Sequence, residues 1–397
     1  MPPNNPKKTR FLLIILVAPL TLIWGEFFTK IMLPQSLDSV VNIYQPDPVV
    51  GYIYKPKATA RETGREYEVT YTTNSLGLRD REYDLENKNV FRIMLLGDSF
   101  AESHGLQAED GLARKIEDFL RQELAALGAK ARVEVVNVSF GGYSPYHYWK
   151  SYGRWKSIFQ PKALIIAFYM GNDYLCEDEG IQYTFADGEI VGQRQEGHPV
   201  PTKRKGDILT IARKWLAKNS ELYVLMRNYI YYNDLIGKLT KWAKARESST
   251  QLAPYLVPQS PLVEREKEKC LKYLRNLAME AAKDDVHVFL LAIPVKFEIV
   301  AENLDMIVST QGVDFSEIDL DQPYRDLKSF CLKERVFFVD PRPAMKSSEN
   351  SKKSNYFKYD GHWNEKGVSA AAQSIVNAWR EAVIPPFGRE PEREGLN

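Results

Sequence analysis

The chain has 397 residues, of which 44% are hydrophobic and 26% are charged, and its formal net charge is +1 at pH 7. This length exceeds one typical domain but suits a single α/β core with insertions. The near-zero net charge excludes an electrostatic argument for nucleic acid or for a strongly acidic partner. The three cysteines, Cys176, Cys270 and Cys331, are too widely spaced for a metal site, which favours buried, inert thiols.

A basic and apolar N-terminal segment is the first predicted element. Three basic side chains in residues 1–10 precede an uncharged apolar run, Phe11 to Gly25. Residues 11–33 together reach the length of a bilayer span, and no small-residue cleavage pattern follows them. We therefore expect a retained signal anchor rather than a cleaved signal peptide. A buried core helix is the other alternative, and the basic flank argues against it. That flank predicts a cytoplasmic N-terminus and a single-pass protein whose body lies in the periplasm or at the cell surface.

Residues 34–90 form a pre-core segment that is rich in proline and tyrosine. The alternation in Tyr67–Tyr71 predicts a short exposed strand or a hairpin ahead of the core. The following stretch, Asn74–Asp80, has the composition of a turn.

Strands and helices alternate from Phe91 onward. Helices are predicted over 112–127, 271–281 and 368–383, where apolar residues recur at helical spacing. The predicted strands are mostly apolar runs: Phe91–Leu96, Val133–Val138, Ala163–Tyr169, Val286–Ile293 and Val336–Val339. Such runs indicate parallel strands that are covered on both faces, so we predict a three-layer α/β/α sandwich with about five parallel strands.

A stretch over about 176–258 interrupts this alternation with aromatic and basic residues. It is predicted to be a helical insertion, either packed on the core or acting as a lid. The core domain then runs over 91–385, and 386–397 form a C-terminal tail.

The first chemical signal is Gly97-Asp98-Ser99-Phe100, directly after the first predicted strand. Ligands of open α/β sheets bind outside the carboxyl ends of the strands, and a serine in this turn would present its hydroxyl there. A serine hydroxyl is a weak nucleophile that needs an adjacent base. Taken alone, the motif is also compatible with a serine that simply caps a helix.

Two further signals follow the next two strands and supply oxyanion donors. In the segment Asn137 to Gly142, a glycine pair lets backbone N–H groups approach a reacting oxygen closely. In Gly171-Asn172-Asp173, the side-chain amide of Asn172 can aim at the same oxygen. Both segments could equally be ordinary turns if they stood alone.

Five histidines are candidates for the base that activates the serine hydroxyl. His287 lies in a predicted buried strand and His198 in the insertion, so both are poor candidates, whereas a substrate-facing or surface role is open for His104 and His147. His362 differs because Asp360 precedes it by two residues, which turns both side chains to one side of an extended segment. We predict that Asp360 orients His362 as the base for Ser99.

These blocks resemble the SGNH hydrolase superfamily, also called GDSL-type esterases and lipases. Its Ser, Gly, Asn and His blocks match Ser99, Gly142, Asn172 and His362 in order. The ending Asp360-Gly361-His362-Trp363-Asn364 resembles the membrane-linked bacterial branch related to alginate O-acetylation proteins. Asp360 and His362 have the spacing Asp-x-His, where most relatives have Asp-x-x-His. A second departure is Ser139, at a position where many relatives carry a glycine.

The resemblance implies a flavodoxin-like SGNH fold and an acyl-transfer reaction without a metal or organic cofactor. It implies that Ser99, His362 and Asp360 are catalytic, and that the N–H groups of Ser99 and Gly142 with the amide of Asn172 form the oxyanion hole. The expected partner is an ester-bearing small molecule, lipid or glycan. Three functions stay open: a serine esterase, an O-acyltransferase acting on an envelope or exported polysaccharide, and a non-catalytic glycan-binding subunit on the same fold.

Overall fold

The computed structural model describes residues 6–33, 43–64, 66–128, 131–174, 181–186, 189–195, 212, 215–216, 219–232, 251–311, 313–349 and 353–382. The predicted tail, most of the predicted insertion and Cys176 lie outside these residues. Cys270 and Cys331 are buried, as expected, and neither forms a disulfide among the described residues.

The described part of the chain contains eleven strands. They are β1 (Tyr44–Asp47), β2 (Gly51–Tyr54), β3 (Thr59–Thr63), β4 (Glu68–Thr72), β5 (Val90–Gly97), β6 (Arg132–Ser139), β7 (Ala163–Tyr169), β8 (Ile181–Ala186), β9 (Glu189–Gln195), β10 (His287–Ile293) and β11 (Phe337–Val339).

The same residues contain eleven α-helices. They are α1 (Pro6–Met32), α2 (Ser99–Glu102), α3 (Leu112–Ala126), α4 (Pro145–Phe159), α5 (Glu221–Tyr232), α6 (Pro261–Lys283), α7 (Lys296–Ile299), α8 (Ala301–Gln311), α9 (Gln322–Glu334), α10 (Arg342–Ser348) and α11 (Glu365–Ala382).

The core is a five-stranded parallel sheet with the order β11-β10-β7-β5-β6. The chain starts in the middle of this sheet with β5, adds β6 on one side, and then adds β7, β10 and β11 on the other. The order therefore reverses between β5 and β7, and the crevice at such a switch point is where open α/β sheets bind ligands. The predicted parallel α/β sheet is confirmed.

Helices cover both faces of the sheet. On one face α3 and α11 pack against each other, and on the other α4 packs against α6. Trp379 of α11 illustrates this contact, since its ring stacks on Phe289 of β10 at 5.2 Å and meets Phe91 of β5 edge-on at 5.5 Å. Because both faces are covered, β7 is buried along its whole length. His287 is an exception to our expectation, because it begins β10 and is exposed.

Two hairpins from the N-terminal segment lie outside this sheet. Strands β1 and β2 pair antiparallel, and so do β3 and β4, which confirms a strand at the predicted position after Tyr67. The predicted turn also forms, because the side chain of Asn74 accepts from the N–H groups of Leu76 at 2.9 Å and Leu78 at 3.0 Å.

Helix α1 forms where the anchor is predicted, but the anchor itself is not supported. Among the described residues, no helix combines the length and apolarity that crossing a membrane requires. Polar side chains follow the apolar run toward the C-terminal end of α1. Glu26 accepts hydrogen bonds from the Ser220 hydroxyl at 2.6 Å and the Glu221 N–H at 2.9 Å at the start of α5, and Lys30 pairs with Glu26 at 3.6 Å.

Candidate active site

The nucleophile turn connects β5 to α2. A Cβ atom on Gly97 would lie 2.4 Å from the Cβ of Ala101, so only glycine lets α2 begin this close to the strand. Asp98 caps α2 by accepting from the N–H of Phe100 at 2.9 Å. Ser99 is the first residue of the helix and is half-buried at the carboxyl edge of the sheet.

The structure brings Ser99, His362 and Asp360 together. The Ser99 Oγ lies 2.7 Å from His362 Nε2, and His362 Nδ1 lies 2.6 Å from Asp360 Oδ1. Because a carboxylate only accepts, Nδ1 carries the proton of that second bond, and Nε2 is left to accept from the serine hydroxyl. This arrangement is the one in which a histidine can remove the hydroxyl proton of a serine.

Asp360 is placed to stay ionised. Burial raises the pKa of this carboxyl, but hydrogen bonds from the ring and the backbone N–H of His362, together with the charge of His362, outweigh burial and hold the pKa well below its usual range. The side chains of Asp360 and His362 are only 21% and 22% exposed. The carboxylate is therefore available to orient the imidazole and to stabilise the imidazolium.

Trp363 anchors the loop that carries the base and the acid. Its side chain is completely buried, and its Nε1–H donates to the carbonyl of Phe100 at 3.1 Å. Trp363 also forms a bridge with Tyr356, and the N–H of Phe357 donates to the carbonyl of His362 at 3.0 Å. These bonds tie the loop to the helix of the nucleophile, which explains how residues 263 positions apart meet.

The second hairpin holds the other side of this loop. The Tyr67 hydroxyl donates to Asp360 Oδ2 at 3.1 Å. The carboxylate of Glu66 accepts from the backbone N–H groups of Lys358 and Tyr359, both at 2.7 Å. The sequence did not reveal these roles of Glu66 and Tyr67, because the alternation in Tyr67–Tyr71 predicts a strand but not the residues that the strand contacts.

His104, whose role the sequence left open, lies behind the base. Its ring centroid is 4.5 Å from that of His362, and its Nε2 is 2.9 Å from the Tyr67 hydroxyl. Burial, followed by the charge of His362, lowers the pKa of His104 to about 4, so the ring is neutral at neutral pH. His104 therefore supports Tyr67 and adds no second positive charge. His147 has a structural role, since its Nδ1 accepts from the N–H of Ser144 at the start of α4.

His104, Asp360 and His362 also lie close enough to hold a metal ion, with candidate ligand atoms within 4.8 Å of one another. The Tyr67 hydroxyl, however, hydrogen-bonds both His104 Nε2 and Asp360 Oδ2 and so occupies the space between them. The remaining oxygen of Asp360 is bound to His362 Nδ1. This cluster is therefore better described as a hydrogen-bonded network than as a metal site.

Gly142 lies in the loop after β6 with its backbone in the left-handed region, at φ +81°. Glycine adopts this conformation without strain. Gly142 is exposed, and its N–H has no hydrogen-bond partner among the described residues. The neighbouring Gly141 lies beside the nucleophile, because a Cβ atom there would be 3.9 Å from the Cβ of Ser99. An unpaired N–H near the serine is what an oxyanion hole requires.

Asn172 is exposed in the loop after β7, and its amide points to the nucleophile turn. Its Nδ2 lies 3.4 Å from Asp98 Oδ2, next to Ser99. Asp173 is buried and holds the loop by accepting from the Tyr169 N–H at 2.8 Å. Burial raises the pKa of Asp98 to about 6, although the Phe100 N–H and the Asn172 amide oppose the rise. The Asn172 amide thus lies next to the nucleophile turn, to which it makes a long hydrogen bond.

Most aromatic residues in the segments that follow β6 and β7 and beside His362 are unavailable for stacking on a sugar. Four of them, Tyr143, Tyr148, Tyr174 and Trp363, are buried to 1% exposure or less. Tyr146 and Trp149 are partly buried and pack against the core. Sequence composition alone could not distinguish a core aromatic from a sugar platform, because both are large and apolar.

Residues 256–395 match the family model described as the SGNH hydrolase-like domain of the acetyltransferase AlgX. The matched segment contains Asp360 and His362, whereas Ser99, Gly142 and Asn172 precede it. The match confirms the resemblance to the SGNH superfamily and to its AlgX-like branch. No curated protein matches the chain at a significant level.

Solved structures with some similarity include esterases and lipases. The lipase Lip_vut3 from a goat rumen metagenome aligns with a TM-score of 0.40 and 12% identity, covering 73% of this chain and 97% of that chain. A GDSL-like lipase, described as putative, from Parabacteroides merdae has a TM-score of 0.38 and 13% identity, covering 73% and 96%. The acetyl xylan esterase AlAXEase has a TM-score of 0.37 and 12% identity, covering 72% and 99%.

Proposed function

We propose that this protein is an SGNH-type serine hydrolase that cleaves carboxylic esters through an acyl-serine intermediate. The observation that carries the proposal is the continuous contact from Ser99 Oγ to His362 Nε2 and from His362 Nδ1 to Asp360. Gly142 and Asn172 beside this contact supply two exposed donors for an oxyanion. The match with the SGNH hydrolase-like family supports the same reaction class.

The first half of the reaction forms the acyl-enzyme. Ser99 Oγ attacks the ester carbonyl carbon while His362 Nε2 takes the hydroxyl proton, and Asp360 stabilises the resulting imidazolium. The N–H groups of Ser99 and Gly142 and the Asn172 amide bind the carbonyl oxygen as it becomes negative. The tetrahedral intermediate then expels the alcohol, which takes the proton from His362 Nε2.

The second half releases the acyl group. A water molecule attacks the acyl carbon while His362 Nε2 takes its proton, and the same donors hold the second oxyanion. Collapse of this intermediate releases the acid and returns the proton to Ser99 Oγ, so protons and electrons balance over the cycle.

The test is the hydrolysis of p-nitrophenyl acetate by the wild type and by Ser99→Ala. We expect this variant to lose activity and to lose covalent labelling by a fluorophosphonate, measured by intact-protein mass spectrometry. Ser347→Ala is the matched control, because Ser347 is an exposed serine on α10. Equal turnover by Ser99→Ala and the wild type would disprove the proposal, and a wild type that neither turns over nor labels would favour a non-catalytic glycan-binding subunit.

A second candidate is an O-acetyltransferase, in which a sugar hydroxyl replaces the attacking water. The specific observation in its favour is that the matched family is described as that of the acetyltransferase AlgX. Mass spectrometry of a polysaccharide acceptor incubated with p-nitrophenyl acetate distinguishes the two. Ester formation on the acceptor with little free acetate supports transfer, whereas free acetate without acceptor modification supports hydrolysis.

We also propose that the catalytic domain works outside the cytoplasm. The proposal rests on the basic residues that precede the apolar N-terminal run. Protease protection of the domain in intact spheroplasts would contradict it, whereas digestion under the same conditions would support it.

A further inference from the structure

The peptide unit between Gly141 and Gly142 offers one acceptor and one donor beside the candidate site. Its carbonyl belongs to Gly141 and its N–H to Gly142. Because a trans peptide is planar, the C=O and the N–H point in opposite directions. Whatever holds the Gly141 carbonyl therefore also decides where the Gly142 N–H points.

Tyr52 of β2 holds that carbonyl. Its hydroxyl donates to the oxygen of Gly141 at 2.8 Å across 89 positions of sequence. The Tyr52 ring is itself fixed, since it is 4% exposed and meets the rings of Tyr44 at 5.3 Å and Tyr143 at 5.1 Å. The Tyr143 hydroxyl in turn donates to the backbone carbonyl of Tyr52. The hairpin β1–β2 and the loop after β6 are thus joined by hydrogen bonds in both directions.

Glu102 lies beside Gly141. Its side chain is 2% exposed and accepts from the Tyr54 hydroxyl, and a Cβ atom on Gly141 would lie 3.2 Å from Glu102 Oε2. Gly141 is therefore packed against a buried carboxyl as well as bonded through its carbonyl to Tyr52. The next donor along the chain, the Gly142 N–H, is exposed and unpaired among the described residues.

We propose that Tyr52 is a positioning residue that keeps the Gly142 N–H directed into the oxyanion hole. The inference rests on the proposed function and names a residue outside the predicted catalytic set. Glycine on both sides of a peptide makes a flip of that peptide inexpensive, because no Cβ atom restricts the backbone. A flipped peptide would present the Gly141 carbonyl, an acceptor, where the reaction needs a donor.

The consequence falls on the transition state rather than on substrate binding. The carbonyl oxygen of a bound ester carries little charge, whereas the tetrahedral oxyanion carries a full one. Loss of the Tyr52 hydroxyl should therefore lower kcat and leave KM nearly unchanged. It should also weaken binding of a trifluoromethyl ketone, which forms a tetrahedral adduct with the serine.

The test compares Tyr52→Phe with Tyr152→Phe. Tyr152 is an equally buried tyrosine on α4, and its hydroxyl donates to Asp284, located just before β10 at the opposite edge of the sheet. For Tyr52→Phe we expect kcat to fall about 10- to 100-fold, which is no more than the fall expected when a whole oxyanion donor is removed. The affinity for the trifluoromethyl ketone should fall in parallel. Tyr152→Phe should keep both values while it loses a comparable amount of thermal stability.

Wild-type kcat in Tyr52→Phe, or a rise in KM without a change in kcat, would overturn the inference. Crystal structures of both variants provide a second readout that does not depend on turnover. If the wild type showed no turnover that depends on Ser99, the proposed function would fail. The structure of Tyr52→Phe would still test the inference. A Gly141–Gly142 peptide in the same orientation as in the wild type would contradict it.

Discussion

The two halves of the candidate site differ in how their polar groups are occupied. In the acid–base half, Ser99, His362 and Asp360 are already bonded to one another at 2.7 and 2.6 Å. In the oxyanion half, the Gly142 N–H is unpaired among the described residues, and the Asn172 amide makes only a 3.4 Å bond to Asp98. Both oxyanion residues are exposed, whereas the acid and the base are about one-fifth exposed.

The proposed function accounts for this difference, because it needs each half at a different moment. The base must be oriented before the substrate arrives, so its bonds can be complete in the resting protein. The oxyanion donors act on a charge that exists only in the transition state, so their bonding capacity must be kept free until then. Each half is nevertheless held from behind by one N-terminal hairpin, with Tyr67 next to Asp360 and Tyr52 next to Gly141.

The largest effect is expected from breaking the acid–base half at Asp360. In Asp360→Asn the amide cannot hold Nδ1–H of His362 in the required tautomer or stabilise the imidazolium, so kcat for p-nitrophenyl acetate should fall about 10⁴-fold. Asp118→Asn, an exposed carboxyl on α3, should keep wild-type kcat in the same assay. A kcat of Asp360→Asn close to the wild type would show that another group orients the base.

Breaking the oxyanion half at Asn172 should have the next largest effect. Asn172→Ala removes one oxyanion donor, so kcat should fall about 10²- to 10³-fold while KM changes little. Asn377→Ala on α11 removes an exposed amide far from the nucleophile turn and serves as the control. A change confined to KM would mean that Asn172 binds the ground state rather than the transition state.

The buried acid of the oxyanion half predicts a dependence of stability on pH. Burial raises the pKa of Glu102 to about 7, although Arg79 and the Tyr54 hydroxyl oppose the rise. Between the ordinary carboxyl pKa and about 7, the unfolded chain releases this proton and the folded protein retains it. This group alone therefore makes the free energy of unfolding fall as pH rises through that window, by about 3 kcal/mol.

Glu102→Gln removes this contribution while retaining an acceptor for the Tyr54 hydroxyl. Urea unfolding at several pH values should show a flatter dependence for the variant than for the wild type between about pH 4.5 and 7. Glu298→Gln is a useful comparison, because burial also raises the pKa of Glu298 to about 7 at a position bonded to Tyr255 and Tyr324. Identical pH dependences for Glu102→Gln and the wild type would show that Glu102 is ionised in the folded protein.

The smallest effect is expected from the group behind the acid. Tyr67→Phe removes one hydrogen bond to Asp360 and one to His104 but leaves the bonds from His362 in place. The expected loss is about 1 kcal/mol, or a fall in kcat of roughly fivefold, with stability close to the wild type. If kcat fell as far as in Asp360→Asn, Tyr67 would be as important as the acid itself and the comparison of the two halves would need revision.

Much of the sheet and of the site could be predicted because the signals are local. An apolar run such as Ala163–Tyr169 indicates a strand covered on both faces, and the structure buries all of it. The spacing of Asp360 and His362 indicates a contact between neighbours in sequence, and that bond forms at 2.6 Å. The segment 11–33 differs, because its apolar run is visible in the sequence, whereas the hydrogen bond from the Glu221 N–H of α5 to Glu26 is visible only in the structure.

The sequence by itself determined the strand-and-helix alternation and the order of the chemical blocks at Ser99, Gly142, Asn172 and His362, because these depend on residue type and on short spacing. Only the tertiary structure decided that β5 lies between β6 and β7, which brings the first three blocks to one edge. It also decided that Tyr52 and Tyr67 support the two halves from outside the sheet. The physical reason is that such contacts depend on chain packing across 89 and 293 positions, for which no periodicity in the sequence carries a signal.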